Sequence, residues 1–252
     1  MSRIAVICGT GMSELTSNYV KSFNSDISLL RIESEWGEVP ISVIEKKLHR
    51  IFILDRHHSS SDYRTPPHMI EHRANIYAIS SCKPDIILSI NSVGTMRDDF
   101  PPGDIGISKD IIDLTQFPWT FYDGDAVHSD RTNLFDYEAI ECCYNTLDSL
   151  QKNVVKDLIV AQCVGPQFET PSEIDALVKL GADVVGMTLG PEQRLISEIN
   201  IPHVSLVCSS NWAAGRTPGD PQAEIDHEEV DSMASSMREK IVNCIDSLTK
   251  LF

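Results

Sequence analysis

Basic residues are scarce in this chain: 252 residues carry 21 Lys and Arg against 37 Asp and Glu, a formal net charge of −16. A surface of that charge repels nucleic acid and anionic membranes. No apolar run reaches the roughly 18 residues of a transmembrane helix, and the amino terminus has no signal-peptide cleavage region. We therefore expect a soluble, cytoplasmic protein with neither nucleic acid nor membrane as a partner. Any anion must be held by a local site.

Cysteine pairs at metal-binding spacing are also absent. The seven cysteines are scattered without a CxxC pair, so neither a zinc site nor a disulfide framework is predicted. The histidines His57, His58, His68 and His72 lack acidic or thiol partners at a ligand spacing. We interpret the cysteines as reduced core thiols and expect no metal and no cofactor.

Short apolar runs, rich in β-branched residues, alternate with segments of helical spacing. Buried strands are predicted at residues 3–7, 50–54, 86–90, 158–164, 184–187 and 203–208, and helices at 67–81, 136–150, 171–180, 191–199 and 226–248. This alternation predicts an α/β sandwich with a mostly parallel or mixed sheet. The length allows residues 1–252 to form a single domain.

Two polar turns directly follow predicted strands and could bind an anion. Backbone amides and the Thr10 hydroxyl can converge as the chain turns at Cys8–Gly11, although an ordinary strand-to-helix turn would have the same composition. Arg56 follows the strand predicted at 50–54, where its guanidinium could take two phosphate oxygens in a bidentate fork.

Four sequence blocks, in order along nearly the whole chain, carry a resemblance to one family. They read CGTGM at 8–12, IEHRANI at 70–76, NSVGTMRDDFPPGD at 91–104 and GPQFETPSEIDALVKLGADVVGMTLGPE at 165–192. In these blocks the chain resembles the trimeric purine nucleoside and methylthioadenosine phosphorylases. The resemblance implies a three-layer α/β sandwich around a mixed, partly barrel-like sheet, and a homotrimer or hexamer. It also implies a pentosyltransferase of purine salvage that uses inorganic phosphate as co-substrate.

The resemblance also implies roles for individual residues. For phosphate it implies Thr10, Arg56, His57, the backbone amide of Ser92 and the Thr188 hydroxyl, with His57 orienting the anion. For the ribose it implies Met187 and His227, and it implies that His128 reaches across a subunit boundary to close the neighbour's cavity.

Base recognition can be argued from the residue types. Phe168 can stack on a purine, although core packing is the ordinary role of such a residue. Glu169 beside it can be buried only when paired or bound to a ligand. A carboxylate accepts the hydrogen on N1 of a 6-oxopurine but opposes the N1 lone pair of adenine, and the Asn211 amide can donate to N7 or O6. We therefore predict inosine and guanosine as substrates, with Asn211, Glu169 and His57 as the catalytic residues.

Two features leave alternatives open. The family usually has Gly after Arg-His, whereas this chain has His58 at a position that could require positive φ, in a loop about two residues longer; Tyr63 or Ser61 could replace the missing contact. His227 could contact the 5′ end of the substrate or simply begin a helix. The alternatives are a methylthioinosine or methylthioadenosine phosphorylase, a nucleosidase that uses water, and a non-catalytic purine-binding protein.

Overall fold

The structure, a computed structural model, describes residues 2–59 and 63–252. Within these ranges all strands belong to one sheet. The strands are β1 (Arg3–Cys8), β2 (Asp26–Ser34), β3 (Gly37–Lys46), β4 (His49–Asp55), β5 (Ile86–Thr95), β6 (Ile105–Asp113), β7 (Leu158–Gln162), β8 (Val184–Gly186) and β9 (His203–Trp212). The helices are α1 (Leu15–Phe23), α2 (His72–Ser81), α3 (Tyr137–Asp148), α4 (Pro171–Lys179), α5 (Leu189–Ile199), α6 (His227–Ser236) and α7 (Arg238–Leu251).

The sheet is mixed and closes partly on itself. Its strand order is β2-β3-β4-β1-β5-β8-β7-β6-β9, and β5 also pairs with β9, so the last five strands form a closed ring. Strand β1 runs parallel to β4 and β5, whereas β2, β3 and β4 pair antiparallel. The predicted fold, an α/β sandwich around a mixed, partly barrel-like sheet, is confirmed.

Alternation along β1 explains the layers on either side of the sheet. Ile4 and Val6 pack into a cluster with apolar residues of α1, α3 and α7, whereas Ala5 and Ile7 pack into a second cluster with residues of α2 and α5. All four side chains are fully buried. A strand covered on both faces reads as a continuous apolar run, which is why β1 was predictable.

Other elements lacked that continuous pattern and were missed. Strand β2 is exposed along most of its length, and β3 and β6 alternate or carry charge. Helix α1 was also missed. The helix predicted at 226–248 is two helices that meet at Met237, and the one predicted at 67–81 begins as a 3₁₀ turn, Pro67–Met69, before α2.

Hydrogen bonds near both of its ends hold the lengthened loop after β4 in place. His58 does not have positive φ, and its Nε2 lies 2.8 Å from Oδ1 of Asn75. The possibility that His58 needs left-handed backbone is therefore excluded, and its ring contacts α2 from an ordinary backbone conformation. Ser61 lies outside the described residues, and Tyr63 is 83% exposed.

Candidate functional site

A cavity of about 420 Å³ opens at the carboxyl ends of the central strands. Strands β1 and β4 end beside each other, with Cys8 opposite Asp55, and the chain continues from these ends into Thr10 and Arg56. The cavity brings together every predicted site residue except His128. Those that line it are Thr10, Arg56, His57, Ser92, Phe168, Glu169, Met187, Thr188, Asn211 and His227.

Arg56 is buried in a two-contact ion pair with Glu192. Its Nε donates to Oε1 of Glu192 at 2.6 Å and its Nη2 to Oε2 at 3.1 Å, and both side chains are nearly inaccessible. Burial by itself would lower the pKa of Arg56, but Glu192 raises it, so the guanidinium stays charged. Removing one partner of such a buried pair costs about 3–5 kcal/mol, so the pair is a fixed element of the site.

The predicted bidentate fork of Arg56 on phosphate is therefore wrong in its geometry. The Nε–Nη2 edge holds Glu192, Nη2 also lies 3.4 Å from the Ile7 carbonyl and from Oδ1 of Asn91, and Nη1 donates to the Ile90 carbonyl at 2.8 Å. Of the five guanidinium hydrogens, these contacts within the described chain leave one on Nη1. Arg56 can offer an anion a single, rigidly aimed donor.

Glu192 also accepts a hydrogen bond from a second set of buried polar side chains, Ser89 and His203. Ser89 Oγ donates to Oε2 of Glu192 at 3.2 Å, and Nε2 of His203 lies 2.9 Å from the same Oγ. All three residues are buried. The sequence did not identify Glu192 as the partner of Arg56, because the two residues are 136 positions apart in the chain.

His57 lies at the same end of the cavity as Arg56, and its imidazole ring is uncharged. Its Nδ1 lies 2.7 Å from the Thr65 carbonyl, which can only accept, so the hydrogen is on Nδ1 and Nε2 is left as an acceptor. Burial, and then the Arg56 charge, lower the pKa of His57 to about 4. At neutral pH this ring accepts a hydrogen bond but carries no charge.

Gly9 lets the first turn approach both residues. A Cβ on Gly9 would lie 2.6 Å from Nη1 of Arg56 and 3.2 Å from Nε2 of His57. The turn continues through Gly11, whose φ of +74° suits glycine. Glycine at position 9 therefore lets the backbone of the turn lie close to the Arg56 and His57 side chains, where any larger residue would collide with them.

Thr188 faces the cavity at the amino terminus of α5. It is the residue just before the helix, and its Oγ1 lies 3.4 Å from Oδ1 of Asn91. The helix amino terminus carries a partial positive charge, which favours an anion beside this hydroxyl.

Glu169 and Asn211 occupy the cavity wall with polar atoms that remain available. Burial raises the pKa of Glu169, and the Cys163 thiol donates a hydrogen bond to its carboxylate. A carboxylate has further lone pairs, so it can still accept from a ligand. Oδ1 of Asn211 accepts from Ser210 Oγ at 3.0 Å, and Nδ2 donates to the Trp212 carbonyl at 2.9 Å. One Nδ2 hydrogen remains for a ligand. Phe168, 39% exposed, lines the same cavity.

The remaining predicted residues lie at the rim. Met187 lines the cavity directly after β8, and His227 is the first residue of α6, next to the apolar lining residues Ile225 and Val230. His128 is exposed and does not line the cavity of its own chain. Its predicted role in a neighbouring subunit stays a prediction.

Arg64 lines the cavity but was not predicted as a site residue. Its Nη2 donates to both oxygens of Asp55, at 2.7 and 2.9 Å, and the two side chains are 45% and 37% exposed. Exposed pairs of this kind contribute about 0–1 kcal/mol. The signal was an arginine next to Thr-Pro-Pro in a polar loop that directly follows a buried strand.

Within residues 2–59 and 63–252, no group of three or more His, Cys, Asp or Glu side chains could hold a metal ion. No helix in that part of the chain is long and apolar enough to cross a membrane.

The sequence model of the phosphorylase superfamily matches residues 3–250. The chain belongs to this family. It is 34% identical over 248 residues to a probable S-methyl-5'-thioinosine phosphorylase from Methanopyrus kandleri, covering 98% of this chain and 91% of that protein. It is also 34% identical over 239 residues to a probable 6-oxopurine nucleoside phosphorylase from Thermococcus kodakarensis, covering 91% and 85%.

Solved structures of the superfamily share the fold at lower identity. The methylthioadenosine phosphorylase from Schistosoma mansoni, in complex with adenine, superposes with a TM-score of 0.86 at 18% identity, covering 99% of this chain and 93% of that one. A methylthioadenosine phosphorylase from an antarctic soil metagenomic library has a TM-score of 0.83 at 23% identity, covering 99% and 87%. The resemblance found in the sequence is thus confirmed at the level of the family.

Proposed function

We propose that this enzyme cleaves the N-glycosidic bond of inosine and guanosine with inorganic phosphate, releasing the free base and ribose 1-phosphate. One observation carries the proposal: a single cavity is lined both by groups able to bind an anion, including Arg56 and Thr188, and by Glu169 and Asn211. Such an arrangement would hold phosphate below the sugar while the polar groups select the base by hydrogen bonding.

Phosphate is the nucleophile, so the protein supplies position and charge stabilisation. The transition state resembles an oxocarbenium ion, and the anion must lie below C1′ when the bond to the base breaks. The Thr10 and Thr188 hydroxyls and the Ser92 backbone amide would donate to the anion, and Nη1 of Arg56 would add its remaining hydrogen. Nε2 of His57 would accept a hydrogen from a protonated phosphate oxygen, which fixes the orientation of the anion.

The base would be recognised by complementary hydrogen bonds. Glu169 accepts the N1 hydrogen of a 6-oxopurine, and the remaining Nδ2 hydrogen of Asn211 donates to N7 or O6. As the bond breaks, negative charge moves onto the purine, and a fixed donor stabilises it. Both groups of relatives support this assignment, because methylthioinosine and the 6-oxopurine nucleosides share the same class of base.

A methylthioinosine phosphorylase is the second candidate. Ile225 and Val230 place apolar surface in the cavity wall near His227, and a methylthio group would bury against such surface. His227 instead offers a polar partner for a 5′-hydroxyl. The two substrates differ only at this 5′ end.

The deciding experiment is base release from inosine, guanosine, adenosine, methylthioinosine and methylthioadenosine, each with and without phosphate. We expect hypoxanthine or guanine only when phosphate is present. A preference for methylthioinosine over inosine would select the second candidate. Release without phosphate would indicate a nucleosidase, and purine binding without any release would indicate a non-catalytic binding protein.

We further propose a cytoplasmic homotrimer or hexamer in which His128 closes the cavity of a neighbouring subunit. Its exposed position outside its own cavity supports this role. Light scattering gives the subunit number. Mixing an H128A variant with a variant disabled at Arg56 tests the shared site, because mixed oligomers should contain some cavities with both intact residues and regain activity.

A further inference from the structure

Arg64 is a charged residue of the cavity wall to which the phosphate site described above gives no role. The described residues that line the cavity include two arginines, Arg56 and Arg64, and no lysine. Arg64 lies in the loop between β4 and the 3₁₀ turn, eight residues after Arg56, whose guanidinium is fixed in its buried pair with Glu192. It is therefore the cation whose partner can change.

The phosphate end of the cavity has little net positive charge of its own. Glu192 neutralises Arg56 through contacts of 2.6 and 3.1 Å. His57 is uncharged at neutral pH because burial and the Arg56 charge lower its pKa to about 4. Thr10, Ser92 and Thr188 are uncharged. A phosphate dianion at this end would meet donors and a helix dipole, but no uncompensated cation.

The backbone beside Arg64 is fixed against the segment that carries His57. The Thr65 amide donates to the His57 carbonyl at 3.0 Å, and the Thr65 hydroxyl donates to the His58 carbonyl at 2.7 Å. Only the guanidinium end, 45% exposed and paired with Asp55, extends from this anchored position. Rotation of the side chain alone can change its partner.

We propose that Arg64 is a phosphate-binding residue that exchanges Asp55 for the oxygens of phosphate when phosphate enters the cavity. The exchange replaces one anionic partner with another of higher charge, and the pair that is given up is exposed and weak. Arg56 stays in place as the fixed donor. This inference rests on the proposed function, since it assigns a residue to the co-substrate of that reaction.

The test compares R64Q with R31Q. Arg31 pairs with Glu38 at 2.6 Å on the exposed strand β2, with 56% and 45% exposure, and does not line the cavity. Both variants lose one positive charge from an exposed pair. We expect the phosphate KM of R64Q to rise about tenfold, as for the loss of a charged hydrogen bond. Its nucleoside KM and its kcat at saturating phosphate should stay at the wild-type values, and R31Q should match wild type throughout.

A second variant, D55N, separates phosphate binding from loop structure. Asp55 Oδ1 accepts from the His57 amide at 3.0 Å, and asparagine keeps that acceptor while removing the charge that competes for Arg64. We expect the phosphate KM of D55N to fall. If the ion pair only stabilised the loop, D55N and R64Q would both raise it, which would overturn the proposal.

Calorimetric titration of the free enzyme with inorganic phosphate provides a readout that does not depend on turnover. Weaker phosphate binding by R64Q than by R31Q supports the proposal, and equal binding overturns it. If the wild-type enzyme released no base with phosphate, the proposed function would fail, but the titration would still decide the role of Arg64.

Discussion

Gly9 lies where the first strand meets the proposed phosphate end of the cavity, and a side chain there would collide with Arg56. In G9A the new Cβ would lie 2.6 Å from Nη1 of Arg56. That atom cannot move cheaply, because Glu192 and the Ile90 carbonyl hold the guanidinium. We expect kcat/KM for phosphate to fall about tenfold or more, since one aimed donor of the anion is misplaced.

The control for this substitution is G124A. A Cβ on Gly124 would meet no atom within 4 Å, and its backbone does not have positive φ. Both variants should fold, as checked by circular dichroism. Equal phosphate kinetics in G9A and G124A would contradict the close approach at the first turn.

Asn211 decides the base preference in the proposed mechanism. In N211D the amide hydrogen that is left for the base is lost, because a carboxylate only accepts. We expect kcat/KM for inosine to fall about a hundredfold, the usual cost of one transition-state donor. Adenosine, whose 6-amino group donates, should be used better. Steady-state kinetics with the two nucleosides measure this change, and an unchanged ratio of the two kcat/KM values would refute the role of Asn211.

The residues of the cavity show which parts of the candidate site could be predicted from the sequence. Ten of the predicted site residues do line one cavity. The family resemblance supplied most of them, whereas residue chemistry at strand ends pointed to Arg56, Glu169 and Asn211. Neither predicted that Glu192 holds Arg56 or that Arg64 lines the cavity. Both depend on which groups meet across distant segments, and local composition carries no information about that pairing.

At the level of elements, the first turn of α6 presents His227 to the cavity. Asp226 caps this helix: its Oδ1 accepts from the amides of Glu228 at 2.7 Å and Glu229 at 3.3 Å. In D226A we expect the free energy of unfolding to fall by about 1 kcal/mol. The nucleoside KM should rise several-fold, because the loosened turn carries His227, while the phosphate KM should not change. Denaturation and steady-state kinetics measure the two effects.

Helix α3 supplies the matched comparison. Asp136 caps it in the same way, accepting from the Ala139 amide at 2.9 Å, and it does not line the cavity. D136A should therefore lose similar stability while keeping its nucleoside KM. If both variants changed KM equally, the effect would come from stability and not from His227.

The elements differ in how predictable they were. Strands buried on both faces read as continuous apolar runs and were predicted, with β1 ending one residue beyond its predicted range. Strands β5 and β9 continue to Thr95 and Trp212, past their predicted ends at residues 90 and 208, because their last residues are more polar. Strand β2 lies at the edge of the sheet and is mostly exposed, so its sequence lacks both that run and a clear alternation. Edge strands are specified by their partner more than by their own composition.

At the scale of the whole molecule, closure of the sheet depends on long-range pairing. Strand β5 pairs with β1, β8 and β9, and the β5–β9 ladder shifts register between Val93 and Gly94. Composition and periodicity predicted a mixed or parallel sheet but not a closed ring. The barrel-like character came from the family resemblance, because no local pattern states which strands are neighbours.

The core also sets how the stability of the whole molecule depends on pH. Burial lowers the pKa of His72 and of His203 to about 3, and that of His57 to about 4. In the unfolded chain histidine titrates near pH 6.5. Below that pH the unfolded state binds protons that the folded state does not, so stability is lost as pH falls from about 7 towards 4. Each buried histidine should cost about 2 kcal/mol between pH 7 and pH 5.

The variant H72F isolates one of these contributions. The His72 ring meets Trp119 edge-on, with centroids 4.9 Å apart, and its Nδ1 has no hydrogen-bond partner within the described structure. Urea denaturation at pH 7 and pH 5 gives the difference in the free energy of unfolding, and any packing cost of Phe cancels in that difference. We expect the loss on acidification to be about 2 kcal/mol smaller in H72F than in wild type. The exposed His68, replaced in H68Q, should leave the wild-type loss unchanged. An H72F variant that lost as much stability as wild type would show that carboxylates, not the buried histidines, govern the acid response.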